Sequence, residues 1–227
     1  MVKSYQMSKD VWYEKERTRN MNKSVNIITD LDGSKIALIN DIRFKSRKGI
    51  DWNEVEQYLK EYIGEYFEIS ETSEKIYIGS DFPDEFSHSN DTKGLKGANM
   101  KAKANIMPAI GELIQIASEK AQYSDYYNKH GAKAQFGWYR YNTRFGIPVY
   151  DEEGNLERYN IFSTRMLVRC DADGKFYQYD LVNAIQLSII SVVFCHREPM
   201  FFMPKNFKNI TKNSWQVSQY MLREPWL

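Results

Sequence analysis

The chain predicts an α+β fold: a small hairpin–helix–hairpin module followed by helices packed on an antiparallel meander sheet. Three observations carry this expectation. Apolar runs flank an Asp-Gly turn near the start of the chain, a hairpin signal. Apolar residues recur at helical spacing in two separate stretches. Three strand-like runs then follow one another with only turn sequences between them.

In chain order, residues 1–22 form a polar, charged arm. The first module spans 23–80. In it, runs 26–31 and 35–40 pair around Asp32-Gly33, and 43–48 form a basic loop. Asp51 with Glu54 reads as an N-cap and its return partner, opening a helix that runs to about residue 63. Trp52, Val55, Leu59 and Ile63 give that helix one buried stripe, and Gly64 closes it. Runs 66–69 and 75–78 make a second strand pair.

Residues 81–90 are turn-rich and read as a linker or rim loop. The second module, 92–195, begins with a helical pattern over 93–121, with Ile106, Ile110, Leu113 and Ala117 on one face. Pro108 starts a new helix there or kinks a long one. Strands follow at 137–150, 158–169 and 175–184, joined by the turn sequences 151–154 and 171–174. Residues 196–227 are a C-terminal tail.

Composition excludes several function classes. The net charge of +1 is neither that of a uniformly basic nucleic-acid coat nor that of an acidic tail. The charge is uneven, however: +5 over 1–50, −10 over 51–91, +6 over 92–144, −3 over 145–180 and +3 beyond. The acidic block is either the solvated face of a helix and strand pair or a surface for a protein partner. Two distant cysteines, Cys170 and Cys195, fit free thiols in a reducing interior rather than zinc. No apolar leader is visible, and the longest uncharged run (181–195) is short of the roughly 20 residues of a spanning helix. A cytoplasmic protein without membrane contact is expected. No cofactor is implied, and no motif specifies an oligomeric state.

Phosphate-loop, dinucleotide, zinc-protease and nucleophile-elbow motifs are absent from the sequence. Asp171 and Asp173 read as turn residues rather than metal ligands. Of three histidines, His88 lies in the 81–90 segment and His196 beyond the apolar run; His130 alone sits in the basic segment, after Lys129.

The stretch 136–145 (FGWYRYNTRF) is the most informative. Alternation puts Trp138, Arg140, Asn142 and Arg144 on one face of a strand, with Tyr139, Tyr141, Thr143 and Phe145 on the other. Two guanidiniums with Lys129 and His130 nearby would make a phosphate site, since arginine grips phosphate bidentately and imidazole moves protons near neutrality. Equally, the arginines can simply face solvent and His130 can cap a helix. Lys101 and Lys103 pose a similar choice. On an unbroken helix Lys103 would share the stripe of Ile110 and Ile114, so either its stem snorkels or its head enters the site.

The runs YIGSDFPDEFSHSNDTKGLKGANMKAKAN, NKHGAKAQFGWYRYNTRF, PVYDEEGNLERYNIF and DGKFYQYD resemble a module of large polyvalent proteins from phages and conjugative elements of Firmicutes, over residues 25–183. Its layout is similar to that of barnase/EndoU/colicin/RelE-like nucleases, a fold-level analogy. The analogy implies metal-independent RNA cleavage by attack of a ribose 2′-hydroxyl. In that scheme His130 is the acid or base, and Arg140 and Arg144 hold the phosphate. Lys103 or Lys129 adds charge, with Lys101 close by; Ser163 or Thr164 hydrogen-bonds a phosphate oxygen; Tyr139 or Tyr159 stacks a base; and Glu157 is the candidate for the glutamate of a Glu/His pair. Past Asn183 the tail departs from the module's polar ending. The competing expectation is a catalytically silent module that grips nucleic acid, or blocks a partner through its acidic 51–91 surface.

Overall fold

The computed structural model describes residues 24–45, 49–123, 131–195 and 198–202. The hairpin near the start forms: β1 (Val25–Thr29) pairs antiparallel with β2 (Lys35–Ile39) around Gly33, whose φ of +83° only glycine adopts without cost. Asp51 caps α1 (Trp52–Lys60), its carboxylate accepting from Asn53 N at 3.0 Å and Glu54 N at 3.4 Å. The helix ends before residue 63, and Gly64, at φ +93°, turns the chain towards β3 (Tyr66–Glu68) and β4 (Lys75–Ile78).

The 81–90 segment expected as a linker carries a helix instead. Pro83 sits in the first turn of α2 (Phe82–His88), where its missing N–H costs nothing. Phe82 and Phe86 are buried one turn apart. Then come α3 (Asn90–Gly94), α4 (Gly97–Asn105), a 3-10 turn around Pro108, and α5 (Ile110–Gln115). Strands complete the described chain: β5 (Ser118–Tyr123), β6 (Trp138–Tyr150), β7 (Leu156–Cys170), β8 (Phe176–Cys195) and β9 (Glu198–Phe202).

The expected arrangement, helices packed on a separate meander, is not what forms. Strand outweighs helix, and the strands join one curled, mixed half-barrel in the order β1-β2-β6-β7-β8-β4-β3. The meander β6-β7-β8 is its centre. The two N-terminal hairpins attach to its opposite edges through parallel pairings, β2 with β6 at Ala37↔Phe145 and β4 with β8 at Tyr77↔Tyr177. Local turn signals reveal hairpins, but such parallel joins span a hundred residues and leave no local signature. On the remaining edges β5 pairs with β6 and β9 with β8.

The main core lies between one sheet face and the helices. Tyr141, Phe145, Phe162 and Met166 meet Val55, Leu59, Phe86, Ile110 and Leu113. A smaller apolar cluster, Ile36, Leu38, Tyr159, Ile161 and Ile190, occupies the opposite face. Gly146 admits it, because a Cβ there would stand 2.6 Å from Leu38 Cδ2. Among the described residues no helix is long and apolar enough to cross a membrane.

A buried ion pair sits between the sheet and the helices. Lys103 is fully buried; its ammonium lies 2.8 Å from Asp180 and 3.6 Å from Asp91, and 4.9 Å above the Phe86 ring. Asp180 also accepts from Ser89 Oγ at 2.8 Å and Leu181 N at 2.7 Å. The lysine on an apolar stripe is therefore a structural ion, not a snorkelling stem.

Lys103→Met should lower unfolding free energy by about 3–5 kcal/mol in urea titrations, since it strands a buried carboxylate; pairing it with Asp180→Leu should restore much of the loss. Burial pushes the Asp180 carboxyl up to about 6 against the opposing pull of Lys103 and Ser89. The folded state thus holds this proton more tightly than the unfolded chain, and the group's contribution to stability falls as pH rises from about 4 to 6. A carboxyl-carbon NMR titration should find its midpoint near 6.

Candidate functional site: a polar groove on the outer sheet face

Alternation along β6 sends Tyr141, Thr143 and Phe145 to the helices and Asn142 and Arg144 to the other face. Register then sets their neighbours: Asn142 stands opposite Arg165 and Arg144 opposite Ser163 on β7. On β8 the register slips between Ser163↔Ile185 and Arg165↔Val182, so Asn183 and Ala184 form a bulge opposite Thr164. The Thr164 hydroxyl donates to Val182 O at 2.8 Å, and Asn183 adopts φ +56°.

These residues floor a groove of about 540 Å³. Ser34 and Lys35 border it from the β1–β2 hairpin, Glu119 from β5, and Ile185 and Leu187 from β8. The volume falls in the range of small-ligand sites.

Its charges are unequal in availability. Arg144 Nη1 is held by Asp32 at 3.0 Å and Asp30 at 3.3 Å. The Ser34 N–H, with Arg144 behind it, keeps the Asp32 carboxyl below the usual carboxylate range. Glu119 accepts from the Asn142 amide. Lys35 and Arg165 are exposed and have no carboxylate partner among the described residues.

Three of the sequence candidates meet here: Arg144, Ser163 and Thr164 all line the groove, although the Thr164 hydroxyl is already committed. Others lie elsewhere. Arg140 shares the strand face but stands four residues, roughly 13 Å, from Arg144, its guanidinium 4.1 Å from the Tyr123 ring centre. The two arginines therefore do not converge on one phosphate. Lys103 is enclosed in the core, and Lys101 is half-buried on α4.

Tyr139 faces the helix side, edge-on to Phe176 at 5.0 Å and beneath Lys120. Tyr159 is buried, its hydroxyl donating to Asn40 at 2.7 Å, and burial pushes its pKa up to about 12. It is a core residue, not a stacking platform. Glu157 pairs with its neighbour Arg158. Lys129 and His130 lie outside the described residues.

Sequence reasoning missed Lys35, Arg165 and Asn183. Arg165 was within reach, being two residues from Ser163 on the same strand face. Lys35 required the parallel β2–β6 join, and Asn183 required the bulge.

The other charged features have local explanations. Asp171 accepts from Asp173 N and Lys175 N, which makes it a turn residue. In the acidic block, Glu56 pairs with Lys60 and His88, Glu74 with Lys120, Asp81 with Arg169 and Asp91 with Lys103. Glu56, Asp84 and His88 bring ligand-type atoms within 4.8 Å of one another, and the other Glu56 oxygen pairs with Lys60. Glu61, Glu65, Glu68 and Glu71 remain exposed without cation partners among the described residues, beside exposed Ile63 and Tyr66.

No protein-family model, curated protein or solved structure matches this chain.

Because the Arg144 pairs are partly solvated, Arg144→Ala should change stability by less than about 1 kcal/mol in urea titrations. A larger loss would mean that the pairs hold the β1–β2 hairpin in place.

Proposed function

We propose that this chain is a binding module that holds single-stranded RNA in the outer groove. One observation carries the reading: Lys35 and Arg165, two cations without carboxylate partners among the described residues, flank a groove that also offers Ser163 and two asparagines. Cations position a phosphate backbone, while hydroxyls, amides and an apolar wall suit splayed bases. Two uncommitted cations predict modest affinity. Cleavage would require a proton-transfer group such as His130 at the groove.

A second reading has its own support. The glutamates at 61, 65, 68 and 71, beside Ile63 and Tyr66, would suit a basic protein partner.

Fluorescence anisotropy with a labelled RNA 12-mer across a salt series separates these readings. Two phosphate contacts give a log–log salt slope of about −1.4, and Lys35→Ala or Arg165→Ala should each reduce its magnitude by about 0.7. RNA that stays unbound at low salt would sink the proposal. Binding of a labelled polylysine peptide, lost on charge reversal of the four glutamates, would favour the acidic-face reading. RNA fragments appearing in EDTA and vanishing in His130→Ala would make the module a ribonuclease.

A further inference from the structure

Two helices on the sheet face opposite the groove bring a second constellation together. Glu56 projects from α1, and Asp84 and His88 stand four residues apart on α2, so these two share one helix face. One ligand-type atom from each of the three lies within 4.8 Å of the others. His88 Nε2 is 3.1 Å from Glu56 Oε2. Around zinc, bonds of about 2.0–2.1 Å at tetrahedral angles set neighbouring ligand atoms roughly 3.3 Å apart. This pair therefore already stands close to coordinating separation. The backbone that carries it is fixed, because Val55 and Leu59 of α1 and Phe82 and Phe86 of α2 are buried in the main core.

Charge points the same way. Two carboxylates converge on one imidazole, which in its neutral form does nothing to offset them. Hydrogen bonds from Lys60 and His88 hold the Glu56 carboxyl below the usual carboxylate range, so it is ionised at neutral pH. Lys60 reaches only Glu56 Oε1, at 2.6 Å. Asp84 is exposed and has no cation partner among the described residues. A cation seated between Glu56 Oε2, Asp84 and His88 would relieve the like-charge contact and leave Lys60 where it is.

The donor set indicates the ion. One imidazole nitrogen with two carboxylate oxygens lacks the soft thiolate or thioether ligands that select copper(I), and calcium and magnesium take oxygen ligands throughout. Zinc accepts this mixture, and three protein ligands leave its fourth position to water. We propose that Glu56, Asp84 and His88 bind one zinc ion that clasps α1 to α2. Binding replaces the hydrogen between His88 Nε2 and Glu56 Oε2, with the imidazole proton kept on Nδ1. The site is independent of the groove and of the RNA-binding reading.

Titration of zinc into the EDTA-stripped full chain tests the assignment. The thermal midpoint should rise with zinc and fall back on adding EDTA. Cysteines and other histidines also take zinc, so variants locate the ion. His88→Ala should abolish the zinc-dependent rise. Asp84→Asn should weaken zinc binding more than about tenfold, since even the outer partners of a metal ligand cost that much. With its carboxylate exposed and unpaired, the same variant should keep the metal-free midpoint of the wild type. Lys60→Gln, which removes a neighbouring positive charge, should bind zinc at least as tightly as the wild type. No midpoint shift in excess zinc would overturn the inference, as would a shift that survives undiminished in both His88→Ala and Asp84→Asn. Magnesium that raises the midpoint as far as zinc would overturn it too, because a diffuse acidic surface rather than a coordinated ion would then explain the effect.

Discussion

The contact on which the rest of this molecule depends is the buried ion pair between Lys103 on α4 and Asp180 on β8. An isolated ammonium in an apolar core would be prohibitively unstable, so the lysine is tolerable only because Asp180, Asp91 and the Phe86 ring surround it. The pair ties α4 to β8, while Asp91 and Phe86 bring α3 and α2 to the same charge. Asp91 passes the constraint on: one carboxylate oxygen faces Lys103, while the other receives the Asn183 N–H on the rim of the groove. A charge hidden in the core thereby helps to shape the opposite face of the same strand.

The groove exists because the sheet is not a simple meander. The long strands β6, β7 and β8 provide a floor, and the β1–β2 hairpin, joined in parallel to β6, raises one wall. Gly146 allows that approach, since any side chain would meet Leu38. The β8 bulge then turns Asn183 out of the ladder. Remove any of these three features and the polar residues of β6 and β7 would remain on a strand face without forming a concave site.

Electrostatic availability differs from electrostatic content. The groove region holds three cations, yet Arg144 is neutralised by two aspartates from the turn that also positions Lys35. Arg140 has its guanidinium on an aromatic ring. Lys35 and Arg165 lack such partners among the described residues, so they, rather than the arginines of the most conspicuous strand, give the groove its character.

The local pieces were legible in the residues themselves. Asp51 wrote its helix cap, Gly33 its hairpin turn, and strict alternation in 138–145 assigned each side chain to a face. These features depend on neighbours within a few residues, so periodicity and capping chemistry suffice to read them. Lys103 could be seen as anomalous on an apolar stripe, but its explanation required Asp180, 77 residues away. The folded chain alone shows that the two hairpins and the meander form one sheet, that Arg140 and Arg144 lie apart, and that Lys35, Arg165 and Asn183 line one groove. Parallel strand joins and bulges are chosen by the packing of distant segments, and that choice leaves no periodic trace along the chain.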